Sequence, residues 1–190
     1  MPRLFTAIEI PEKVRDELHR LQHPLPGARW MTPDGYHLSL RFAGDIDNGL
    51  AREFAANLAT VNMDAFELTL EGLGTFGGND PRSLWAGVAP SAALEALAQA
   101  HEKAARASGL RPEKRAFKPH VTLARLRGTR VDAVAQFLTQ YSGYRSKPFF
   151  AVETVLMSSR PLVGGGPYGI EDTFALRGGL YASEDYETNW

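Results

Sequence analysis

The sequence predicts an α+β fold of largely antiparallel sheets with flanking helices, built as two repeated halves. Three observations predict it. Strand-like runs alternate with amphipathic helical runs along all 190 residues. Some neighbouring strands are joined by turns short enough for hairpins. One short motif also occurs twice, as His37-Leu38-Ser39-Leu40 and His120-Val121-Thr122-Leu123. Hairpins mixed with helices favour α+β over a doubly wound parallel sheet. No linker or low-complexity stretch separates the halves, so they are expected to pack as two lobes of one unit, residues 1–190, with a cleft between them.

The elements follow in order. Residues 4–10 are rich in β-formers and end at Pro11, which predicts a first strand. Pro11 suits the start of a helix over 12–22, where Val14, Leu18 and Leu21 recur at helical spacing. The run His23-Pro24-Leu25-Pro26-Gly27 stops that helix. A short strand at 29–31 and a turn at 32–35 precede the strand over 36–43, which carries the first motif. Asp47 is a candidate N-cap, and Leu50, Phe54, Leu58 and Val61 share one face of the helix after it. Residues 66–76 alternate, with Phe66, Leu68 and Leu70 set against Glu67, Thr69 and Glu71; a hairpin partner is expected over 83–89.

The second half repeats the plan. Ser91 caps a helix running to about residue 107, with Leu94, Leu97, Ala98 and Ala104 inward. A loop over 109–119 leads to the second motif strand at 120–126, and a helix follows over 131–141. Further strands are expected over 149–158 and 173–180, separated by a loop at 160–168.

In a strand, side chains at i and i+2 point to one face. Each motif therefore sets an imidazole beside a hydroxyl, His37 with Ser39 and His120 with Thr122. A lone His-x-Ser/Thr is usually structural. Two copies, in a chain with only five histidines, suggest acid–base groups converging on one substrate. Histidine gives or takes a proton near neutral pH at little cost. One neutral imidazole can remove a proton from water while a protonated one supplies the departing oxygen, each transfer contributing about 10²–10⁴-fold. Ser39 and Thr122 can donate to non-bridging phosphoryl oxygens. Arg125 is the candidate phosphate cation, although i+5 from His120 faces away on a regular strand, so the role needs a bulge or twist. Arg41 is the weaker candidate. Phe42 and Tyr168 are candidates to stack on an unpaired base, with core packing the stronger reading of Phe42. Trp30 reads as core. His19, His23 and His101 read as surface or satisfied residues, Lys118 as a solvated loop charge, and 111–115 as either a phosphate guide or a solvated loop.

Composition narrows the class. A formal charge of −1 leaves any polyanion to a local basic patch. With no cysteines, disulfides, thiolate nucleophiles and Cys-based zinc sites are excluded. No HExxH motif, Walker-type loop or dense Asp/His cluster occurs, so no metal or other cofactor is expected. Residues 1–10 lack the apolar core of a signal peptide and no run approaches a membrane span, so a soluble, cytoplasmic protein, expected to be a monomer, is the reading.

The same residues resemble the 2H phosphoesterase superfamily, and within it the bacterial and archaeal RNA 2′,3′-cyclic phosphodiesterases, also named 2′-5′ RNA ligases. The likeness starts at Arg3-Leu4-Phe5-Thr6-Ala7-Ile8 and Arg29-Trp30. It continues through His37-Leu38-Ser39-Leu40-Arg41-Phe42-Ala43-Gly44 and Lys118-Pro119-His120-Val121-Thr122-Leu123-Ala124-Arg125, and closes with Met157-Ser158-Ser159 and Gly166-Pro167-Tyr168. The resemblance implies a bilobal, pseudo-twofold fold whose central groove holds both motifs. It implies metal-independent opening of 2′,3′-cyclic phosphates at RNA 3′ ends, tRNA fragments among them, to 2′-phosphomonoesters, with 2′-5′ ligation as the reverse reaction. It makes His37 the acid and His120 the base. Ser39 departs from the more usual Thr but keeps the hydroxyl. Two alternatives stand beside this reading: a non-catalytic RNA- or nucleotide-binding module, and a 2H enzyme for small cyclic nucleotides or 2′-5′ oligoadenylate.

Overall fold

A computed structural model of the chain describes residues 3–159 and 168–179. The first half of the sequence runs β1 (Arg3–Glu9), α1 (Glu12–His19), β2 (Ala28–Trp30), β3 (His37–Asp45), α2 (Asn48–Leu58), β4 (Phe66–Leu68) and β5 (Leu70–Phe76). The second half runs β6 (Ser83–Val88), α3 (Ala92–Ala107), β7 (His120–Leu126), α4 (Val131–Gln140), β8 (Phe149–Ala151) and β9 (Glu153–Ser158), with β10 (Gly169–Ala175) beyond it. Leaving out β2 and β10, each half repeats one order: strand, helix, motif strand, helix, short strand, strand.

The main sheet is ordered β10-β9-β1-β3-β7-β6-β5, with β2 added on β7. Every pairing in it is antiparallel, as expected. The motif strands β3 and β7 are neighbours at its centre. The halves also exchange their last strands: β5 pairs with β6, and β9 pairs with β1. The short strands β4 and β8 pair apart from the main sheet.

The helices cover the sheet through their apolar stripes. Val14 and Leu18 of α1 and Val134 and Phe137 of α4 pack with Leu84 and Ala86 of β6 and Val121 and Leu123 of β7. Phe54 and Leu58 of α2 meet Ala104 and Ala105 of α3 over Leu4 and Leu156. Both anticipated caps form. Asp47 accepts the Leu50 N–H at 2.9 Å and Ser91 the Leu94 N–H at 3.2 Å.

Several boundaries differ from expectation. The strand anticipated over 66–76 is two strands, because Thr69 turns its carbonyl to the Ala89 N–H at 2.9 Å and the chain changes sheet there. Val152 repeats the device between β8 and β9, accepting from Leu176 N–H at 2.8 Å. The α1 helix ends at His19, after which Leu21 and Gln22 make tighter three-residue turns back to Leu18 and His19. The last strand is Gly169–Ala175 rather than 173–180, its extent set by pairing from Ser158 to Glu153 of β9. Leu180 and residues 160–167 of the anticipated loop lie outside the described residues.

The two motif strands carry the same irregularity. Against β1, Ala7 pairs with Ser39 but Thr6 with Arg41, so Leu40 is an extra residue in β3. Against β6, Trp85 pairs with Thr122 but Leu84 with Ala124, so Leu123 is the extra residue in β7. A bulge of this kind shifts the in–out alternation by one. Phe42 and Arg125, each five residues beyond its histidine, thereby return to the histidine's face.

Candidate active site

Among the described residues, β3 and β7 pair at Leu38 opposite Val121, both fully buried. Continuing that antiparallel register sets His37 opposite Thr122 and Ser39 opposite His120. Each imidazole therefore has a hydroxyl beside it along its own strand and another across the strand gap. A pseudo-twofold axis passes between the two aliphatic residues.

The imidazoles are held alike. The His37 Nδ1–H donates to the Gly35 carbonyl at 2.8 Å, and the His120 Nδ1–H donates to the Lys118 carbonyl at 2.6 Å. A carbonyl only accepts, so Nδ1 carries the hydrogen in both rings and Nε2 is the working nitrogen of each. The turn at Pro33–Gly35 presents one carbonyl and the end of the 109–119 loop presents the other.

Aromatic walls complete the parallel. Phe5 and Tyr168 pack on the His37 ring, with centroids at 5.0 Å and 4.8 Å. Phe76 and Trp85 pack on the His120 ring at 4.9 Å and 6.0 Å. Lys118 Nζ sits 4.6 Å from the Trp85 ring centroid and 5.3 Å from that of Phe76, within cation–π range. Room for the indole comes from Gly74, its pairing partner on β5; a Cβ there would stand 2.3 Å from the ring.

Burial and neighbouring charge act together on the protons. Burial, assisted by the charges of His120 and Arg125, pushes His37 down to about 4, against the opposing bond to Gly35. Burial and then the Lys118 charge hold His120 below its usual range, against the bond to the Lys118 carbonyl. That the Arg125 charge reaches His37 follows from the β7 bulge, which meets the condition the sequence set for Arg125 as a phosphate ligand.

A groove of about 540 Å³ opens at this point, with Ser39, Phe42 and His120 among its lining residues. Phe42 is 50% exposed and touches Phe5 at 5.5 Å, which corrects the core reading: the Leu40 bulge turns it to the groove. Lys118 is exposed yet docked on two rings, and its carbonyl anchors His120, which corrects the reading of a merely solvated charge. Arg41 is buried and ion-paired to Glu102, consistent with its place as the weaker phosphate candidate. Residues 111–115 are not a free loop, because Arg41 donates to the Arg111 carbonyl and Glu102 accepts the Glu113 N–H at 3.2 Å. His101 is a satisfied core histidine, its Nδ1 2.9 Å from Thr6 Oγ1. His19 is exposed, His23 stacks on Phe137 at 4.9 Å, and Trp30 packs on the core. Phe5, Phe76, Trp85 and Gly74 carried no sequence signal, because their closeness to the histidines is a product of strand register.

Among the described residues, no group of three or more His, Cys, Asp and Glu is disposed to hold a metal, and no helix is long and apolar enough to cross a membrane.

Two His–hydroxyl pairs face each other across a pseudo-dyad with an arginine charge alongside, the disposition that two-histidine chemistry on a phosphate would require. The chain belongs to the 2′-5′ RNA ligase superfamily, whose family model matches residues 10–160. It is 34% identical over 120 residues to an RNA 2′,3′-cyclic phosphodiesterase of Aeropyrum pernix, an alignment covering 62% of this chain and 66% of that protein, just under two thirds. An RNA 2′,3′-cyclic phosphodiesterase of Methanothermobacter thermautotrophicus is 27% identical over 184 residues, covering 92% of this chain and 98% of that protein. Among solved structures, apo LigT of E. coli superposes with a TM-score of 0.75 at 25% identity, covering 92% of this chain and 98% of that one. LigT of E. coli complexed with 3′-AMP gives a TM-score of 0.75 at 25% identity, with coverages of 93% and 99%.

Proposed function

We propose that this protein hydrolyses 2′,3′-cyclic phosphates at RNA 3′ ends to 2′-phosphomonoesters by two-histidine acid–base catalysis that needs no metal. The observation that carries this is the matched anchoring of His37 and His120, each offering Nε2 from opposite sides of the Leu38–Val121 pair. The activity for which its relatives in Aeropyrum pernix and Methanothermobacter thermautotrophicus are named supports it.

In this mechanism neutral His120 takes a proton from water at Nε2 as the water oxygen bonds to phosphorus. The P–O3′ bond breaks, and protonated His37 gives its Nε2 proton to O3′. The product keeps phosphate on O2′ and a free 3′ hydroxyl. Ser39 and Thr122 donate to the non-bridging oxygens, Arg125 neutralises the charge collecting there, and Phe42 and Tyr168 stack on the base. Burial depresses both imidazoles in the free protein, so the acid gains its proton when the anionic phosphate lies beside it. The order of roles follows the family resemblance. The deep burial of His37 by itself favours the neutral form, and titration with a non-reacting substrate analogue bound decides between the two orders. With an RNA 5′ hydroxyl in the place of water, the same steps bond its oxygen to phosphorus as O3′ leaves and give a 2′-5′ linkage, whereas water in excess drives hydrolysis.

Residues 1–190 form one unit of two intertwined lobes in this reading, supported by the exchange of β5 and β9, and the protein acts as a cytoplasmic monomer. The test is an oligoribonucleotide with a 2′,3′-cyclic end, incubated with purified protein and EDTA. A 2′-phosphate product supports the proposal. A 3′-phosphate product would reverse the leaving oxygen, and binding without turnover would leave a nucleotide-binding module. Turnover of cyclic mononucleotides or 2′-5′ oligoadenylate but not of RNA ends would change the substrate class.

A further inference from the structure

The 109–119 loop is an irregular segment with an ordered attachment. Arg41, 6% exposed, is turned inward by the Leu40 bulge and spends its guanidinium on three elements. Its Nε pairs with the Glu102 carboxylate on α3, one terminal nitrogen donates to the Phe42 carbonyl, and the other donates to the Arg111 carbonyl. The second Glu102 oxygen accepts the Glu113 N–H at 3.2 Å, and the Glu113 carboxylate accepts the Arg115 N–H at 3.0 Å. Bonds thus run unbroken from the first motif strand to a point three residues before Lys118, whose carbonyl fixes His120. A buried arginine with a partner at each of its three nitrogens holds geometry well, because its planar fork loses little freedom on bonding.

This clamp presents Phe117 to the groove, where it is 36% exposed and faces the same space as Phe42. The groove continues along α3 from Glu102 to Glu95, seven residues or about 10 Å of helix. The groove thus has room beyond Ser39 and His120. Of the lining carboxylates, Glu102 and Glu113 are engaged by Arg41 and Arg115, leaving Glu95, while Lys118 lies at the catalytic end. An RNA 3′ end can continue only toward its 5′ side, and an aromatic face takes any base in that direction.

We propose that the 111–118 loop, clamped to the first motif strand by Arg41 and Glu102, forms the subsite for the nucleotide on the 5′ side of the reacting one, with Phe117 as its stacking side chain and Arg41 as its positioning residue. The substrate is then an oligonucleotide rather than a mononucleotide. This rests on the cyclic phosphodiesterase reading above.

The experiment compares a dinucleotide and a mononucleoside, each ending in a 2′,3′-cyclic phosphate, with the wild type, Phe117→Ala and Arg41→Lys. Stacking on one aromatic face is worth about fivefold to a hundredfold per base. The wild type is expected to prefer the dinucleotide in kcat/KM, and Phe117→Ala to reduce that preference about tenfold. Arg41→Lys keeps the ion pair but loses the two carbonyl bonds. It is expected to raise KM for the dinucleotide more than it lowers kcat, and to speed amide hydrogen exchange at Glu113 and Arg115. An unchanged dinucleotide-to-mononucleoside ratio in Phe117→Ala overturns the subsite, as does an equal loss on both substrates. Affinity for a dinucleotide ending in 2′-phosphate, measured by calorimetry, separates the two proposals. Absent turnover with weakened binding in Phe117→Ala would sink the catalytic reading and keep the subsite, whereas equal binding would sink the subsite.

Discussion

Acid should weaken the fold through a histidine that takes no part in the chemistry. His101 of α3 is 1% exposed and bonded to Thr6 of β1, and burial pushes it down to about 4. In the unfolded chain it titrates near the usual value of about 6.5. The folded value is the lower one, so the unfolded state binds the extra proton. The stability contribution is complete above pH 6.5, is lost as pH falls toward 4, and changes no further below that. Between pH 7.5 and pH 4.5 the two values give a loss of about 2–3 kcal/mol from this residue. His37, also near 4, adds a similar loss of its own. Urea unfolding at the two pH values, in wild type and in His101→Gln, isolates the first contribution, because everything else that titrates is common to both proteins. Glutamine keeps a hydrogen-bonding partner for Thr6 but cannot take the proton. The variant should lose about 2–3 kcal/mol less than wild type over this interval. Equal losses in the two proteins would mean that the buried imidazole does not resist protonation, and the argument from burial would fail for His37 as well.

Other outcomes follow from the site. His37→Ala and His120→Ala should each cut turnover at least about 100-fold with the circular dichroism spectrum preserved; near-wild-type rates in either would end the two-histidine mechanism. Both imidazoles sit below their usual range, so kcat/KM should be greatest below pH 6.5 and fall tenfold per pH unit on the alkaline side; a maximum above pH 8 would contradict this. With a non-reacting analogue of the cyclic phosphate bound, the imidazole NMR titration should show His37 protonated at neutral pH, and protonation of His120 instead would exchange the roles. Arg125→Ala should reduce kcat/KM about 100-fold and raise the His37 pKa, since its charge now lowers it. Gly74→Ala puts a Cβ 2.3 Å from the Trp85 indole, so a loss of about 1–3 kcal/mol on thermal unfolding is expected, with a shifted tryptophan emission; an unaltered spectrum would mean the ring relaxes freely.

Local chemistry made much of this protein readable in advance. The caps at Asp47 and Ser91, the apolar stripes of the helices and the i, i+2 geometry of both motifs are decided by near neighbours in sequence. The unread features depend on residues far apart. Whether Arg125 and Phe42 face the groove turns on one extra residue in each motif strand, and that residue is extra only relative to a partner strand. The Phe76, Trp85 and Lys118 wall exists because β5, β6 and the end of a loop converge on His120. The break at Thr69 is invisible in an alternating pattern that continues through it; only the Ala89 N–H explains it. By regular alternation Arg41 would share the face of His37 and Ser39; the Leu40 bulge turns it away, and its three partners come from α3, the neighbouring loop and its own strand.

The pairing of Leu38 with Val121 fixes the spacing of the strands that carry His37 and His120, and the carbonyls of Gly35 and Lys118 fix the turn of each ring. Such a ruler has few settings. Substitutions around the groove can change which molecules enter while the reach from proton donor to proton acceptor stays the same, so in descendants of this scaffold the kind of bond cleaved should be far more durable than the identity of the molecule that carries it.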